Sequence, residues 1–295
     1  MSGGRTGARV SAWRPAVAGI AESFHAHFAE HAYPVHTHDT WALMILDDGC
    51  VDFGLDRHRH GAAGLGTVVL LPPGVPHDGR TVGARGFRKR VLYLEADVLP
   101  ERLTGAAVDI PVHRDALLHH RIGQLHGALG DVRPEVEAGG GAGAGAGAGL
   151  AFEAESRLAL VRERLLRHLR ALPARDPGPP PGPLAEALRE LLDSRIATGI
   201  SMDEAAGLLH AHPTHLIRAF TRRYGIAPHA YLTGRRIDRA RRLLLAGRRP
   251  AEVAASVGFY DQSHLNRHFT RHLRTTPARF AASWEGGRFL RDGAE

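Results

Sequence analysis

A chain of 295 residues, 43% of them apolar, is long enough for two domains of ordinary size and apolar enough for each to bury a core. Its one cysteine, Cys50, excludes an intrachain disulfide framework or thiolate metal cluster, and no apolar run approaches the ~20 residues of a membrane helix, so a reducing, cytoplasmic setting is expected. The formal charge of +7 is unevenly placed: residues 201–280 hold 14 arginines against five acids, which leaves the rest near −2, the balance of a nucleic-acid module joined to a neutral partner.

Segments 41–46, 50–55, 67–71 and 88–94 are rich in Val, Leu, Phe and Tyr. They are parted by turn signals such as Asp47-Asp48-Gly49 and Pro72-Pro73-Gly74, which predicts strands of an antiparallel β-barrel or sandwich over about 15–112. Residues 113–183 read as helices and linkers. Segment 115–129 has helical character; 150–172 has more, with Leu158, Val161, Leu165, Leu169 and Leu172 at steps of three and four. That stripe either packs back on the strands or forms a dimer seam. The Gly-Ala tract 139–149 is expected to be a solvated flexible loop, and the Pro-rich stretch 173–183 an extended one.

Beyond residue 201 the chain repeats itself. His215-Leu216-x-Arg218-Ala219-Phe220-Thr221-Arg222 returns 49 residues later as His264-Leu265-x-Arg267-His268-Phe269-Thr270-Arg271, with Pro228 answered by Pro277 and Tyr231 by Phe280. Each copy reads as a short helix, a tight turn and a second helix with Arg on its polar face, the layout of a helix-turn-helix. In the first copy Ser201 and Glu204 form a capping box, Pro213 opens the second helix and Gly225 ends it. In the second, Pro250 opens the first helix, Gly258 closes it, and Asp261 caps the next, with Tyr260 and Leu265 at the spacing of a hydrophobic staple. Leu208, Leu216, Phe220, Leu265 and Phe269 fall at core spacing. Between the copies, 228–246 reads as one helix of about 28 Å, close to the ~34 Å between successive major-groove faces on one side of B-DNA.

Residues 184–284 resemble the DNA-binding domain of the AraC/XylS family of transcriptional regulators. The resemblance rests on Arg236-x-x-x-Ala240-x-x-Leu243-Leu244 and on the run from Val253-Ala254 through Val257-Gly258-Phe259-x-Asp261-Gln262-Ser263-His264-Leu265-x-Arg267-x-Phe269 to Thr276-Pro277. It implies that the helices starting at Pro213 and Gln262 are recognition helices. Thr214, Ile217 and Arg218 in the first, and Gln262, Ser263, Asn266 and Arg267 in the second, are then candidate base readers, with Arg222, Arg223 and Arg271 on phosphates. The repeated His215 and His264 are expected to hold their units together. One departure is Arg274, where the family usually has a helix-terminating glycine like Gly225.

His36-Thr37-His38 followed by Gly66-x5-Pro72-x-Gly74-x2-His77 resembles the two motifs of the cupin β-barrel, whose enzymes hold a metal with three His and a Glu. The Glu is missing here, Trp41, Ala42 and Leu43 standing in its place. The resemblance implies an effector pocket lined by His36, His38, Trp41 and His77, ahead of a three-His divalent metal site made by the same histidines. The run Asp56-Arg57-His58-Arg59-His60 reads as an exposed hairpin end.

The fold expected is α+β and multidomain: a cupin-like antiparallel barrel, linker helices and an all-α tandem helix-turn-helix domain. The function expected is a one-component transcription regulator, not an enzyme, that needs no cofactor and binds promoter DNA under control of a small-molecule effector. A homodimer, and RNA polymerase if the protein is an activator, are the further partners; no membrane is expected. A metal-dependent cupin enzyme or metal sensor fused to a DNA-binding domain is the alternative, and an architectural DNA-binding protein without effector a third.

Overall fold

The computed structural model describes residues 8–131, 144–171 and 182–283. Ten strands form two antiparallel sheets: β1 (Arg9–Trp13), β2 (Ile20–Phe28), β3 (Ala32–His36), β4 (Trp41–Gly49), β5 (Val51–Leu55), β6 (His58–Ala63), β7 (Val68–Leu71), β8 (His77–Thr81), β9 (Phe87–Leu94) and β10 (Val112–His113). One sheet runs β1-β2-β9-β4-β7-β10, the other β3-β8-β5-β6. The four expected strands are β4, β5, β7 and β9. Strand β2 pairs along β9 between the expected strands and the chain's start, yet its Glu22, Ser23, His25 and His27 hid it from a search for apolar runs.

Strand β4 is buried on both faces. Because side chains alternate along a strand, Ala42, Met44 and Leu46 face inward with Phe24 and Val91, whereas Trp41, Leu43 and Ile45 face outward with Leu92 and Leu94. The outer layer is covered by α2 (Ala116–Asp131) and α3 (Ala144–Arg170), which follow the short helix α1 (Thr104–Asp109). Leu158, Val161, Leu165 and Leu169 of α3 join Leu118, Ile122 and Leu125 of α2 in that cluster. The stripe is therefore internal packing and not a dimer seam; its fifth member, Leu172, lies outside the described residues. Helix α3 also takes in 144–149 of the Gly-Ala tract, so the expected loop is helical there, and the tract's start falls outside the described residues. So does nearly all of the Pro-rich stretch.

The remaining helices are α4 (Pro183–Ser194), α5 (Met202–Leu208), α6 (Pro213–Tyr224), α7 (Pro228–Leu245), α8 (Pro250–Ser256), α9 (Gln262–Leu273) and α10 (Pro277–Ala282). Their ends follow the expected punctuation. The Ser201 side chain accepts from the Glu204 N–H at 3.1 Å, and Asp261 from that of His264 at 2.6 Å. Gly225 and Arg274 both end their helices in the left-handed conformation, at φ 67° and 55°. A side chain at Gly258 (φ 87°) would place its Cβ 2.3 Å from the Ala197 carbonyl oxygen, so glycine is required there by conformation and by space alike. Two expectations fail. Leu208 is 54% exposed, the core being reached by Ala205 and in part by Leu209; Tyr260 is 93% exposed and makes no staple with the buried Leu265.

Helix α7 is buried nearly all round, since one side packs on the helical units and the other on the barrel. One continuous apolar cluster joins the barrel's inner face to Ile237, Ala240 and Leu244 of α7 and to Val253, Leu265, Phe269 and Phe280 of the second unit. The first unit has its own core, built by Leu188, Leu192, Leu216, Phe220, Ile226 and Tyr231.

Candidate functional site

Helices α6 and α9 present the expected residues outward. Thr214, Ile217, Arg218, Arg222 and Arg223 on α6 are exposed, as are Gln262, Ser263, Arg267 and Arg271 on α9, with Asn266 half-buried. Their backs are fixed by Leu216 and Phe220, and by Leu265 and Phe269, all fully buried. The repeated histidines differ. His264 accepts the Tyr260 N–H at 3.4 Å and stacks edge-on with Phe259 and His268, so it braces its turn. His215 is exposed beside Arg222 and the start of α4, so in the first unit the brace is missing.

The basic excess divides into two parts. Arg235 and Arg242 pair with Asp39 of the barrel, Arg241 with Glu22, and Arg248 and Arg249 with Glu252. Arg236 donates to the Ile196 carbonyl and Arg274 to that of Glu30. Those seven arginines have partners within the chain, buried for Arg241 with Glu22 and exposed and local for Arg248 and Arg249 with Glu252. The other seven, at 218, 222, 223, 239, 267, 271 and 279, are exposed. Sequence counting could not separate these sets, because the partners of Arg235, Arg241 and Arg242 lie some 200 residues away.

A second site lies between barrel and helices. Phe24, Tyr33, His36, His38, Ala42, Met44, His77, Lys89 and Tyr93 from the strands enclose a cavity of about 60 Å3 with Gly234, Ile237, Asp238 and Arg241 of α7 and His272 of α9. The three motif histidines do converge: ring centroids are 4.3 Å apart for His36 and His77, and 4.6 Å for His38 and His77. Each Nδ1 faces a backbone carbonyl, of Pro34, Thr40 and Val75 respectively, and a carbonyl can only accept. The Nδ1 atoms therefore carry the protons and the Nε2 atoms remain acceptors. Burial pushes all three pKa values well down, so the rings are neutral. The His38 Nε2 is buried without a partner.

Trp41, expected in this pocket, lies on the opposite face of β4 and donates to the Ala96 carbonyl at 3.3 Å. Its two neighbours in alternation, Ala42 and Met44, line the cavity instead. Among the described residues no three His, Cys, Asp or Glu side chains form a group that could hold a metal ion, and the Arg241 guanidinium shares the space with the three histidines.

Arg241 reaches into the barrel from α7. Its guanidinium lies 2.7 Å from the Glu22 carboxylate and 4.3 Å from the Tyr93 ring centroid, with both charged side chains 7% exposed. Asp238, one turn earlier, keeps one carboxylate oxygen buried without a hydrogen bond, and burial raises its pKa to about 7. The sequence reading missed Glu22, Lys89, Asp238 and Arg241. Their only signal was polarity at positions where β2, β9 and α7 must otherwise be apolar.

Residues 21–161 match the AraC-like ligand binding domain family, and residues 205–283 a helix-turn-helix domain family. The chain is 23% identical over 240 residues to an uncharacterized HTH-type transcriptional regulator, YbfI, of Bacillus subtilis (strain 168), covering 79% of this chain and 81% of that one. Its fold is similar to that of ToxT from Vibrio cholerae O395, with a TM-score of 0.55 and 11% identity over 96% of this chain and 100% of the other. It is also similar to ToxT bound to (E)-4-(8-methylnaphthalen-1-yl)but-3-enoic acid, with a TM-score of 0.53 and 11% identity over 95% and 100%. Among the described residues no helix is long and apolar enough to cross a membrane.

Proposed function

Because the chain belongs to the AraC/XylS family of transcription regulators, we propose that a small molecule entering the cavity between the barrel and α7 sets whether α6 and α9 can occupy DNA together. The observation that carries this reading is the lining itself: strands of the ligand-binding region and helices α7 and α9 of the helix-turn-helix region contribute to one cavity. An effector can shift an equilibrium only by its difference in affinity between two arrangements. A molecule touching both parts has that difference, since separating them removes half of its contacts.

In this reading residues 15–112 sense, 113–183 connect and 184–284 bind DNA. The base readers are Thr214, Ile217, Arg218, Gln262, Ser263, Asn266 and Arg267, and the phosphate contacts Arg222, Arg223 and Arg271. His36, His38 and His77 offer their acceptor nitrogens to donors on the effector, and no metal is needed. The protein works in the cytoplasm as a regulator and not as an enzyme. A homodimer would form on the exposed side of α3, where Phe152 and Leu160 stand, and contact with RNA polymerase follows where the protein activates.

Footprinting the purified full-length chain on genomic DNA tests the reading. The sites found should respond to a compound handled by the neighbouring gene products, and Ala42→Leu, which fills the cavity away from the DNA-facing helices, should abolish the response while keeping DNA affinity. DNA binding indifferent to every such compound would sink it.

A further inference from the structure

Lysine occurs once in this chain, at position 89; every other member of the Lys and Arg total of 38 is arginine. Its place is the inner face of β9, opposite Ala26 of β2, where its amine enters the interdomain cavity and lies 4.4 Å from the Tyr33 ring centroid. Among the described residues no carboxylate pairs with this amine and no acceptor receives a hydrogen bond from it. The carboxylates that line the cavity with it have other partners, Asp78 pairing with Arg59 and Asp238 lying 3.7 Å from Arg241, and Glu22 is paired with Arg241 as well.

A counter-ion alone does not explain the lysine. If this position only had to present a positive charge, arginine would serve, as it does wherever else the chain needs a cation. What arginine cannot supply is a neutral amine, because the guanidinium stays protonated. Burial and the facing Arg241 cation bring the Lys89 pKa down to about 7, so a large fraction of the amine is unprotonated near neutral pH. Desolvation of this kind is how a lysine becomes a nucleophile toward carbonyl groups. The cavity also supplies a proton donor. The Tyr33 hydroxyl is buried without a partner, and burial raises its pKa well above that of a free phenol, so it stays protonated.

We propose that Lys89 captures a small aldehyde or ketone as an imine, and that this carbonyl compound is the effector. The proposal rests on reading the interdomain cavity as the effector site. The neutral amine adds to the carbonyl carbon to give a carbinolamine. Its hydroxyl then leaves as water with a proton donated from Tyr33, a C=N bond forms, and the proton lost from nitrogen restores the phenol. The sequence is redox-neutral and reversible by hydrolysis, as a sensor requires. The volume left open, about 60 Å3, admits a compound of only a few carbon atoms without displacing Arg241. Lys89 also borders a second cavity, about 240 Å3, with Val10, Ser11 and Arg88, which opens a side of the lysine away from α7.

The test is reductive trapping on the full-length protein. Propanal or butanal is added with cyanoborohydride at pH 7, with propionate and butyrate as matched acids, and peptides are mapped by mass spectrometry. The chain has only two kinds of amine, Lys89 and the α-amino group. Wild type should gain one alkyl group on Lys89, at a rate roughly 10³-fold above the same lysine in the urea-unfolded chain, since an ordinary lysine is almost wholly protonated at pH 7. Tyr33→Phe should slow trapping about tenfold, and Lys89→Arg should confine label to the amino terminus. Label only at the amino terminus of wild type, no advantage over unfolded chain, or protection of Lys89 by the acids with no aldehyde adduct would each overturn the proposal. Mapping wild type needs no variant to fold. Measuring DNA affinity on the trapped protein separates the two readings: an adduct on Lys89 with unchanged affinity upholds the imine and removes the effector role.

Discussion

The two helix-turn-helix units share a sequence pattern and differ in what holds them. The first closes a core of its own, with Phe220 under α6 and α4 laid against it. The second has no separate core, because Phe269 and Phe280 are continuous with Phe24, Met44 and Val91 of the barrel. Polar contacts follow the same division. The second unit is tied to the strands by His31 on the His272 carbonyl, Arg274 on that of Glu30, and Ser283 beside Ala12. The first meets the barrel through Arg57 on the Arg223 carbonyl at 3.4 Å. A repeat thus need not be a structural duplicate: one copy stands on a core of its own, and the other is built into the barrel.

The largest effect that could break this comparison is loss of a core ring. Phe220→Ala and Phe269→Ala should each cost roughly 3–5 kcal/mol. Calorimetry should show Phe220→Ala melting the first unit with the barrel transition unmoved, whereas Phe269→Ala lowers the barrel transition too. Equal behaviour would mean that the cores are independent after all.

Docking of α7 carries a pH signature. The Asp238 pKa is raised by burial to about 7, so the folded protein keeps a proton that the unfolded chain releases near pH 4. The stability linked to this group is full below the unfolded value and is lost as pH rises through about 7, at no more than about 1.4 kcal/mol per pH unit. Asp238→Asn should flatten that fall in denaturant titrations between pH 4 and 7. An unchanged slope would place Asp238 in water.

DNA affinity sharpens the comparison from the other side. Arg218→Ala and Arg267→Ala should each cost about 1–3 kcal/mol and relax base preference at one half-site, a different one for each. Since Thr214 and Ile217 are unlike Ser263 and Asn266, the preferred site is asymmetric; equal binding to a palindrome of either half would contradict this. Caps come last. Asp261→Ala should cost about 1 kcal/mol, and His212→Ala less, because the imidazole accepts from Thr214 at 3.3 Å where the carboxylate accepts at 2.6 Å. Gly225→Ala should destabilise by about 1 kcal/mol, while Arg274→Gly relieves a similar strain and gives up the bond to Glu30.

What was legible in the chain was what a residue does to its near neighbours. Ser201, Pro213, Asp261 and Gly225 act within a few residues through cap bonds and allowed dihedrals, so helix ends could be read directly; the close approach of Gly258 to the Ala197 carbonyl could not. The histidines of His36-Thr37-His38 and His77 could be brought together because a known barrel pattern relates them. Trp41 could not be assigned to a face, since β4 is apolar on both sides and alternation then carries no direction. Leu208 and Tyr260 failed for a related reason: spacing shows where an apolar side chain could pack, not whether another element arrives to cover it.

By itself, then, the sequence determined the local grammar of this protein: two helix-turn-helix units, their caps, a strand-rich half with converging histidines, and the outward faces of α6 and α9. The tertiary structure alone decided which arginines stay exposed and which pair with Asp39 and Glu22, which stripe on α3 is interior, and that the one lysine ends in a cavity shared by barrel and helices. These are pairings across some 50 to 220 residues. No local rule selects among them, because burial and desolvation depend on what the rest of the chain places opposite.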